Sequence, residues 1–352
     1  MYPAIAIADA VTALRPDARV VFAGTADRLE ARAVPDAGYA LHRITAQGVQ
    51  RRLTLDNLMV PVRVAQGLVQ SWRLVGAIQP DVAVGTGGYV AGPALLAAWL
   101  RGRPLLIQEQ NAYAGVTNRL LSRLAERVHL AFPEARDWVP EDRAVVSGNP
   151  TRRALREADP GEARAAFQLP ADGRVVLVMG GSLGSAALND AVEANLDTLL
   201  AEDDVHVVWQ TGTRYHDALT ERVDDHPRLR LREYIDRMGW AYAAADLVVC
   251  RAGALTCSEL MVTGTPALLV PSPNVTANHQ TKNARSMETN GAARLLPESE
   301  LAARFVDEVQ ALLNNPDTRT DMARAARRMA RPEAAETIAR DVLALADEYR
   351  TN

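Results

Sequence analysis

From one end to the other, the chain alternates short apolar runs that close on glycine or a turn with stretches of helical spacing, and it does so twice. RVVFAG, DVAVGT, RPLLIQ, RVHLAF and AVVSG read as strands, interleaved with helices in the way of parallel β-α units. Near Asn149-Pro150 the pattern restarts with GRVVLVMGGSLGSAALNDAV, DVHVVWQTG, LRLREYI, LVVCRAG and TPALLVP. Such alternation permits few folds: a parallel sheet with helices on both faces, here built twice. The 352 residues suffice for two domains of about 150 residues each. The pattern predicts an α/β chain with one doubly wound domain over residues 1–150 and a second over 151–331. An Ala-rich amphipathic helix over 332–352 either caps one domain or crosses back to the first. Ligands of such folds bind at the carboxyl ends of the strands, here in a cleft between the domains.

The opening segment, MYPAIAIADAVTALRPDARVVFAGTADRLE, starts on a helix. Pro3 suits a first helical position, and Ile7, Val11 and Leu14 share a face with Ala8 beside it, so the segment reads as a buried helix. A strand from Ala18 to Ala23 follows the break at Pro16. In alternating folds such a helix follows a strand, so the first domain is expected to lack its first strand and the loop after it.

Composition narrows the function. A formal net charge of −4, with 48% hydrophobic and 23% charged residues, fits a globular enzyme and gives no overall attraction to nucleic acid or anionic membrane. Any basic contact surface must be local, and Lys282 is the single lysine among many arginines. Cys250 and Cys257 fit neither a metal-ligand spacing nor a disulfide framework, which suits a reducing compartment. The long uncharged run Val82 to Leu100 carries four glycines and Pro93; these breakers divide it into strand, glycine loop and helix, against a membrane span. No signal peptide is read at the start.

Four constellations carry chemistry. In VVLVMGGSLGSAALND a strand feeds a glycine loop and a helix start, which can hold an anion; the bland reading is a tight turn. No acid follows the next strand in a clean ribose-binding position, which argues against a dinucleotide. GTGGY repeats the device at Gly87, Gly88 and Tyr89, and in LIQEQNAYAG the residues Glu109 and Asn111 stand just past a strand end. In CRAGALTCSE the chain turns into a helix with Glu259 about a turn and a half inside; dipole compensation is its bland reading. HQTKNA gathers His279, Gln280, Lys282 and Asn283 after a loop, or is only a charged helix start.

Taken together, GTADRLE, GTGGYVAGP, QEQNAYAG, SGNPTR, GGSLGSAALN, CRAGALTCSE and HQTKNA resemble the MurG family of bacterial glycosyltransferases, in that family's order and over almost the whole chain. The resemblance implies a GT-B fold and inverting, metal-independent transfer of N-acetylglucosamine from its UDP carrier to lipid I, forming lipid II for peptidoglycan. No cofactor is implied. By this match Ile235 would hold uracil through its backbone, Glu259 the ribose, and Ala254, Leu255 and Thr256 with Ser182 the diphosphate, with Cys257 and Ser258 in the same segment. Gln280 would touch the sugar, and Asn111 and Arg152 would complete the donor side. Gly87, Gly88 and Tyr89 would meet the diphosphate of the undecaprenyl-linked acceptor.

Leu58, Val62 and Leu68, with Trp99, Arg51, Arg52 and Arg63, match the region through which the family docks on the cytoplasmic face of the membrane. An apolar stripe edged by arginine is otherwise a core-facing helix. Two departures stand out. The family's His-Glu-Gln-Asn is here Gln108-Glu109-Gln110-Asn111, which leaves Glu109 as the candidate base. The GGTGGH loop that the family carries ahead of a segment like YPAIAIA, with its histidine, is expected to be lacking. A non-catalytic sugar-nucleotide-binding relative and a UDP-GlcNAc 2-epimerase of similar fold are the alternative classes.

Overall fold

The computed structural model describes residues 1–26, 29–46, 60–275 and 278–351. Arg51, Arg52 and Leu58 lie outside the described residues. The chain divides into two compact units, Met1–Thr151 with Arg331–Asn352, and Arg152–Ala330.

The first unit runs α1 (Tyr2–Leu14), β1 (Val21–Gly24), α2 (Glu30–Asp36), β2 (Ala40–Arg43), α3 (Val60–Ile78), β3 (Ala83–Gly85), α4 (Ala91–Leu100), β4 (Leu105–Glu109), α5 (Val116–Leu121), β5 (Arg127–Leu130) and β6 (Ala144–Val146). The second runs α6 (Pro160–Ala166), β7 (Arg174–Met179), α7 (Ala186–Leu199), β8 (Val205–Gln210), α8 (His216–Arg222), β9 (Leu229–Arg232), α9 (Met238–Ala244), β10 (Leu247–Cys250), α10 (Ala254–Thr263), β11 (Ala267–Leu269), α11 (His279–Thr289), β12 (Arg294–Leu295), α12 (Leu301–Leu313) and α13 (Pro316–Met329). The last helix, α14 (Ala334–Thr351), belongs to the first unit.

In the second unit six parallel strands follow the order β12-β11-β10-β7-β8-β9. Its RVVLVM and VHVVWQ strands are buried along almost their whole length, because helices cover both faces and leave no solvent side for alternation. Trp209, Leu188, Val192, Phe305 and Leu312 fill the layer between sheet and helices.

The first unit is wound alike but its strands form two sheets, β1-β2 and β3-β4-β5-β6. Where β7 stands between β8 and β10 in the second unit, no described strand stands between β1 and β3. Helix α1 spans that place: Ile7 and Val11 join one cluster with Ala18 and Val20 ahead of β1, Val82 ahead of β3, and Leu106 of β4. Only one side of α1 is buried, through Pro3, Ile7, Ala8 and Val11, while Tyr2 and Leu14 are exposed, so the helix is not covered all round as its composition suggested. Its polar side faces Tyr39, whose hydroxyl donates to Asp9 Oδ1 at 2.7 Å. The following strand begins at Val21, later than the Ala18 read from sequence.

Helix α14 packs on α1 through Ile338, Ala339, Val342 and Leu345. Arg15 grips Asp347 with two hydrogen bonds of 2.7 Å each, and Arg350 reaches Asp81 at 2.7 Å. These exposed pairs are worth little individually. The apolar stripe supplies most of the docking energy, at about 1.5 to 3 kcal/mol for each large side chain fully buried.

Candidate active site

Strand register gathers three loops in the second unit. Met179 at the end of β7 lies opposite Gln210 of β8 on one side and Cys250 of β10 on the other. The loops after these strands therefore leave the same sheet edge, beside the point where strand order reverses. The Gly180–Ser185 loop is shaped by contacts that only glycine allows: a Cβ on Gly180 would lie 2.5 Å from the Ser185 nitrogen. Ser185 caps α7, accepting from the Leu188 N–H at 3.4 Å. Arg251, whose charge is paired with Glu298, donates to the same Ser185 hydroxyl from Nε at 3.1 Å. Gln210 joins the loops: its Nε2 donates to the Gly181 carbonyl at 3.1 Å, and its Oε1 accepts the Ile235 N–H at 3.0 Å.

Helix α10 starts at Gly253, which caps it without a side chain. The N–H groups of Leu255 and Thr256 in its first turn thus have no intrahelical acceptor and face outward with the positive end of the helix dipole. One turn further in, Glu259 is largely buried, and the Tyr242 hydroxyl on α9 donates to its Oε2 at 2.8 Å. Burial pushes the Glu259 carboxyl above the usual carboxylate range, opposed by the Tyr242 hydrogen bond and by the charge of Arg152. On α11, Gln280 Oε1 accepts the Ser272 N–H at 2.8 Å, and Asn283 Nδ2 donates to the Ala252 carbonyl at 3.2 Å, so α11 is tied to the loop that opens α10.

Several expected contacts change in this light. The Ile235 N–H is spent on Gln210, which leaves the carbonyl as the backbone group for a base. Cys257 is fully buried with its thiol pushed up to about 12, and Ser258 is buried with its hydroxyl donating to the Ala254 carbonyl at 2.9 Å. Both side chains lie on the buried stripe of α10 with Leu260 and Met261, while Leu255, Thr256 and Glu259 are only partly buried. Ser182 is exposed, and its carbonyl accepts the Thr213 N–H at 3.1 Å. Tyr242 went unremarked in the sequence. A tyrosine in an apolar helix needs a partner for its hydroxyl, but nothing in the sequence pairs it with Glu259.

In the first unit Glu109 ends β4 almost wholly buried, at 2% exposure. Its Oε1 accepts the Asn111 N–H at 2.9 Å and Asn111 Nδ2 at 3.2 Å; its Oε2 accepts the Gly115 N–H at 2.9 Å and Asn118 Nδ2 at 2.8 Å. Four donors occupy the carboxylate, so it has no lone pair to offer a reacting hydroxyl; it is the knot of the 110–118 loop and not a base. Gln108, fully buried, donates from Nε2 to Asn149 Oδ1 at 2.7 Å. Gln110 Nε2 holds the Thr86 carbonyl at 2.7 Å and so pins the GTGGY loop. There Gly87 and Gly88 take φ of +85° and +86°, and Tyr89 is exposed.

Helix α3 exposes Val62, Ala65, Val69 and Trp72 on one face, and Trp99 on α4 is exposed as well. Arg101 stacks over the Trp72 ring at 4.0 Å. Arg63 is half-buried. Leu68 points the other way, into the core with Val75 and Leu95, so it leaves the stripe read from sequence; Val69 and Trp72 replace it at spacings of seven and ten residues from Val62. Among the described residues no helix is long and apolar enough to cross a membrane, and among them no cluster of three His, Cys, Asp or Glu is placed to hold a metal ion.

Two parallel α/β units, the second with a glycine loop and a bare helix start at its strand-order reversal, have the architecture of enzymes that handle nucleotide sugars, and the family models place the chain among the glycosyltransferases. The glycosyltransferase family 28 N-terminal and C-terminal domain models match residues 1–130 and 175–338. The chain is 76% identical to the UDP-N-acetylglucosamine--N-acetylmuramyl-(pentapeptide) pyrophosphoryl-undecaprenol N-acetylglucosamine transferase of Salinibacter ruber, over 100% of this chain and 95% of that one. The crystal structure of Acinetobacter baumannii MurG matches with a TM-score of 0.78 and 31% identity, over 97% of this chain and 95% of that one. The chain belongs to the MurG family and has the GT-B fold. A putative UDP-N-acetylglucosamine 2-epimerase from Listeria monocytogenes shares the fold alone, with a TM-score of 0.71 at 16% identity over 99% of this chain and 94% of that one.

Proposed function

We propose that the chain transfers N-acetylglucosamine from UDP-GlcNAc to undecaprenyl-pyrophosphoryl-MurNAc-pentapeptide, with inversion and without a metal. The observation that carries the reading furthest is α10: a bare helix start for a diphosphate and, on its next turn, a buried carboxylate for a ribose diol. The same helix start, with the Gly180–Ser185 loop, would stabilise the departing UDP diphosphate as charge develops on it. Arg152, whose charge already acts on Glu259, would lie on the donor side, with Gln280 offering its amide to the sugar. The GTGGY loop would serve the acceptor. Incubation with UDP-GlcNAc and a lipid I analogue tests the reading: disaccharide product is expected, and UDP-ManNAc formed from donor alone would replace it with epimerisation.

Glu259→Ala is expected to weaken UDP-GlcNAc binding by about 1.5 to 3 kcal/mol, the worth of hydrogen bonds to a charged group. Titration calorimetry reads this directly. Unchanged affinity would move the ribose contact elsewhere.

The exposed Val62, Val69, Trp72 and Trp99, edged by Arg63 and Arg101, would rest on the cytoplasmic face of the cell membrane as a peripheral contact. Val62→Glu is expected to release the protein from anionic vesicles with its melting temperature unchanged, since Val62 is 46% exposed. Salt should weaken the same binding, because exposed charges are screened over about 8 Å at physiological ionic strength. A sharp fall in melting temperature would instead make Val62 a core residue.

A further inference from the structure

We propose that Tyr242 is the positioning residue of the donor site: its buried hydroxyl fixes Oε2 of Glu259 so that Oε1 is presented to the ribose diol of the nucleotide sugar. The inference rests on the donor reading above and adds to it the residue that makes Glu259 competent. Tyr242 is 2% exposed and its ring is locked in α9, so the hydroxyl has one direction to point, and Glu259 Oε2 stands 2.8 Å along it. Oε1 has no protein partner among the described residues. A largely buried carboxylate with one oxygen clamped and the other unengaged suits a ligand bringing hydrogen-bond donors, as a vicinal diol does.

The groups around Glu259 are few. Tyr242 faces it from α9, Arg152 from the segment entering the second unit, and the thiols of Cys250 on β10 and Cys257 on α10 complete the surroundings, both neutral because burial raises them. Arg327 of α13 packs at the far end of α10, against Gly264, and α11 meets this region through Asn283. Burial works against the ionised carboxylate, while the Tyr242 hydrogen bond and the Arg152 charge work for it. The diol donates to the ionised form. Affinity should therefore fall as pH falls through the Glu259 pKa, and removing the hydroxyl should move that midpoint to higher pH.

UDP-GlcNAc is the probe, because its diphosphate is esterified at both ends and does not titrate near neutral pH. Calorimetry with the full chain from mildly acidic to mildly alkaline pH is expected to show Tyr242→Phe binding roughly tenfold more weakly at neutral pH, recovering toward wild type as pH rises. Glu259→Gln should bind weakly at every pH, with the dependence gone. A Tyr242→Phe protein that melts earlier but keeps wild-type affinity and midpoint would reduce Tyr242 to a packing residue and overturn the proposal. Wild-type affinity in Glu259→Gln would overturn the donor reading beneath it. Should Tyr242→Phe not fold, a fluorotyrosine placed at position 242 decides: its more acidic hydroxyl donates more strongly to Glu259, so a binding midpoint moved to lower pH supports the proposal, and an unmoved midpoint overturns it.

Discussion

Glu109→Gln is expected to lower the melting temperature of the protein by about 5 to 15 °C, the shift that about 2 to 4 kcal/mol produces in a unit of this size. The cause is local and countable. Both oxygens of Glu109 accept two hydrogen bonds each, from Asn111, Gly115 and Asn118, in a site almost closed to water. Glutamine keeps the shape but turns an NH₂ toward groups that are themselves donors, so at least two buried N–H groups lose their acceptor and the attraction of a full negative charge goes with them. The loop that unravels contains Asn111 and borders the GTGGY loop through Gln110, so transfer should fall too, following the loss of structure. Thermal melting and turnover measured on the same sample separate the roles. A general base removed alone costs roughly 10² to 10⁴ in rate and leaves the fold intact; loss of rate at an unchanged melting temperature would return Glu109 to catalysis.

The contrast between Glu109 and Glu259 shows what the sequence could carry. Glu109 is the last residue of a strand and Glu259 lies in the helix that follows one, each in a motif that also holds a glycine, and the sequence reads both as functional. Their difference lies in partners brought from elsewhere. Asn118 curls back nine residues along the chain to take up Glu109, while Glu259 meets one hydroxyl from a neighbouring helix and keeps an oxygen unengaged. Hydrogen-bond saturation of this kind is a property of loop geometry, which residue spacing does not specify.

The architecture was legible for a simpler reason. Buried parallel strands such as RVVLVM and LVVC are apolar apart from the leading Arg174 and run into loops that hold Gly180 and Gly253, so their existence and order follow from composition and punctuation alone. Helix faces were less so. Leu68 shares helical spacing with Val62 closely enough to be read as one stripe, yet Leu68 meets Val75 and Leu95 in the core while Val69 and Trp72 stay outside. Cys257 and Ser258 turned inward in the same way. In α3 apolar side chains lie on the exposed side as well as the buried one, as Val62, Val69 and Trp72 do, so hydrophobic spacing alone does not mark the core face and packing decides.

Gly212→Ala is expected to weaken UDP-GlcNAc binding and to slow transfer about 100-fold, the rate cost that roughly an ångström of displacement in a positioned site can reach. Gly212 follows β8 with φ of +83°, and a Cβ there would lie 2.0 Å from the nitrogen of Gly184, which itself has φ of +82°. The two backbones meet with no side chain between them, and this contact holds the Gly180–Ser185 loop down against the sheet edge. A methyl group cannot be absorbed by a rotamer change, because the atoms it meets are main chain; the loop must lift, carrying with it the N–H groups proposed to cradle the diphosphate. Gly181→Ala separates this effect from backbone strain. Gly181 also has a positive φ, +93°, but a Cβ there has nothing within 4 Å. Its variant should suffer only the left-handed penalty of about 1 to 2 kcal/mol in stability and keep most of its donor affinity. Calorimetry on the two variants, with melting temperatures alongside, reads the difference. Equal losses of affinity would mean that strain alone disturbs the loop, and the close approach of Gly184 to Gly212 would have no part in shaping the anion site.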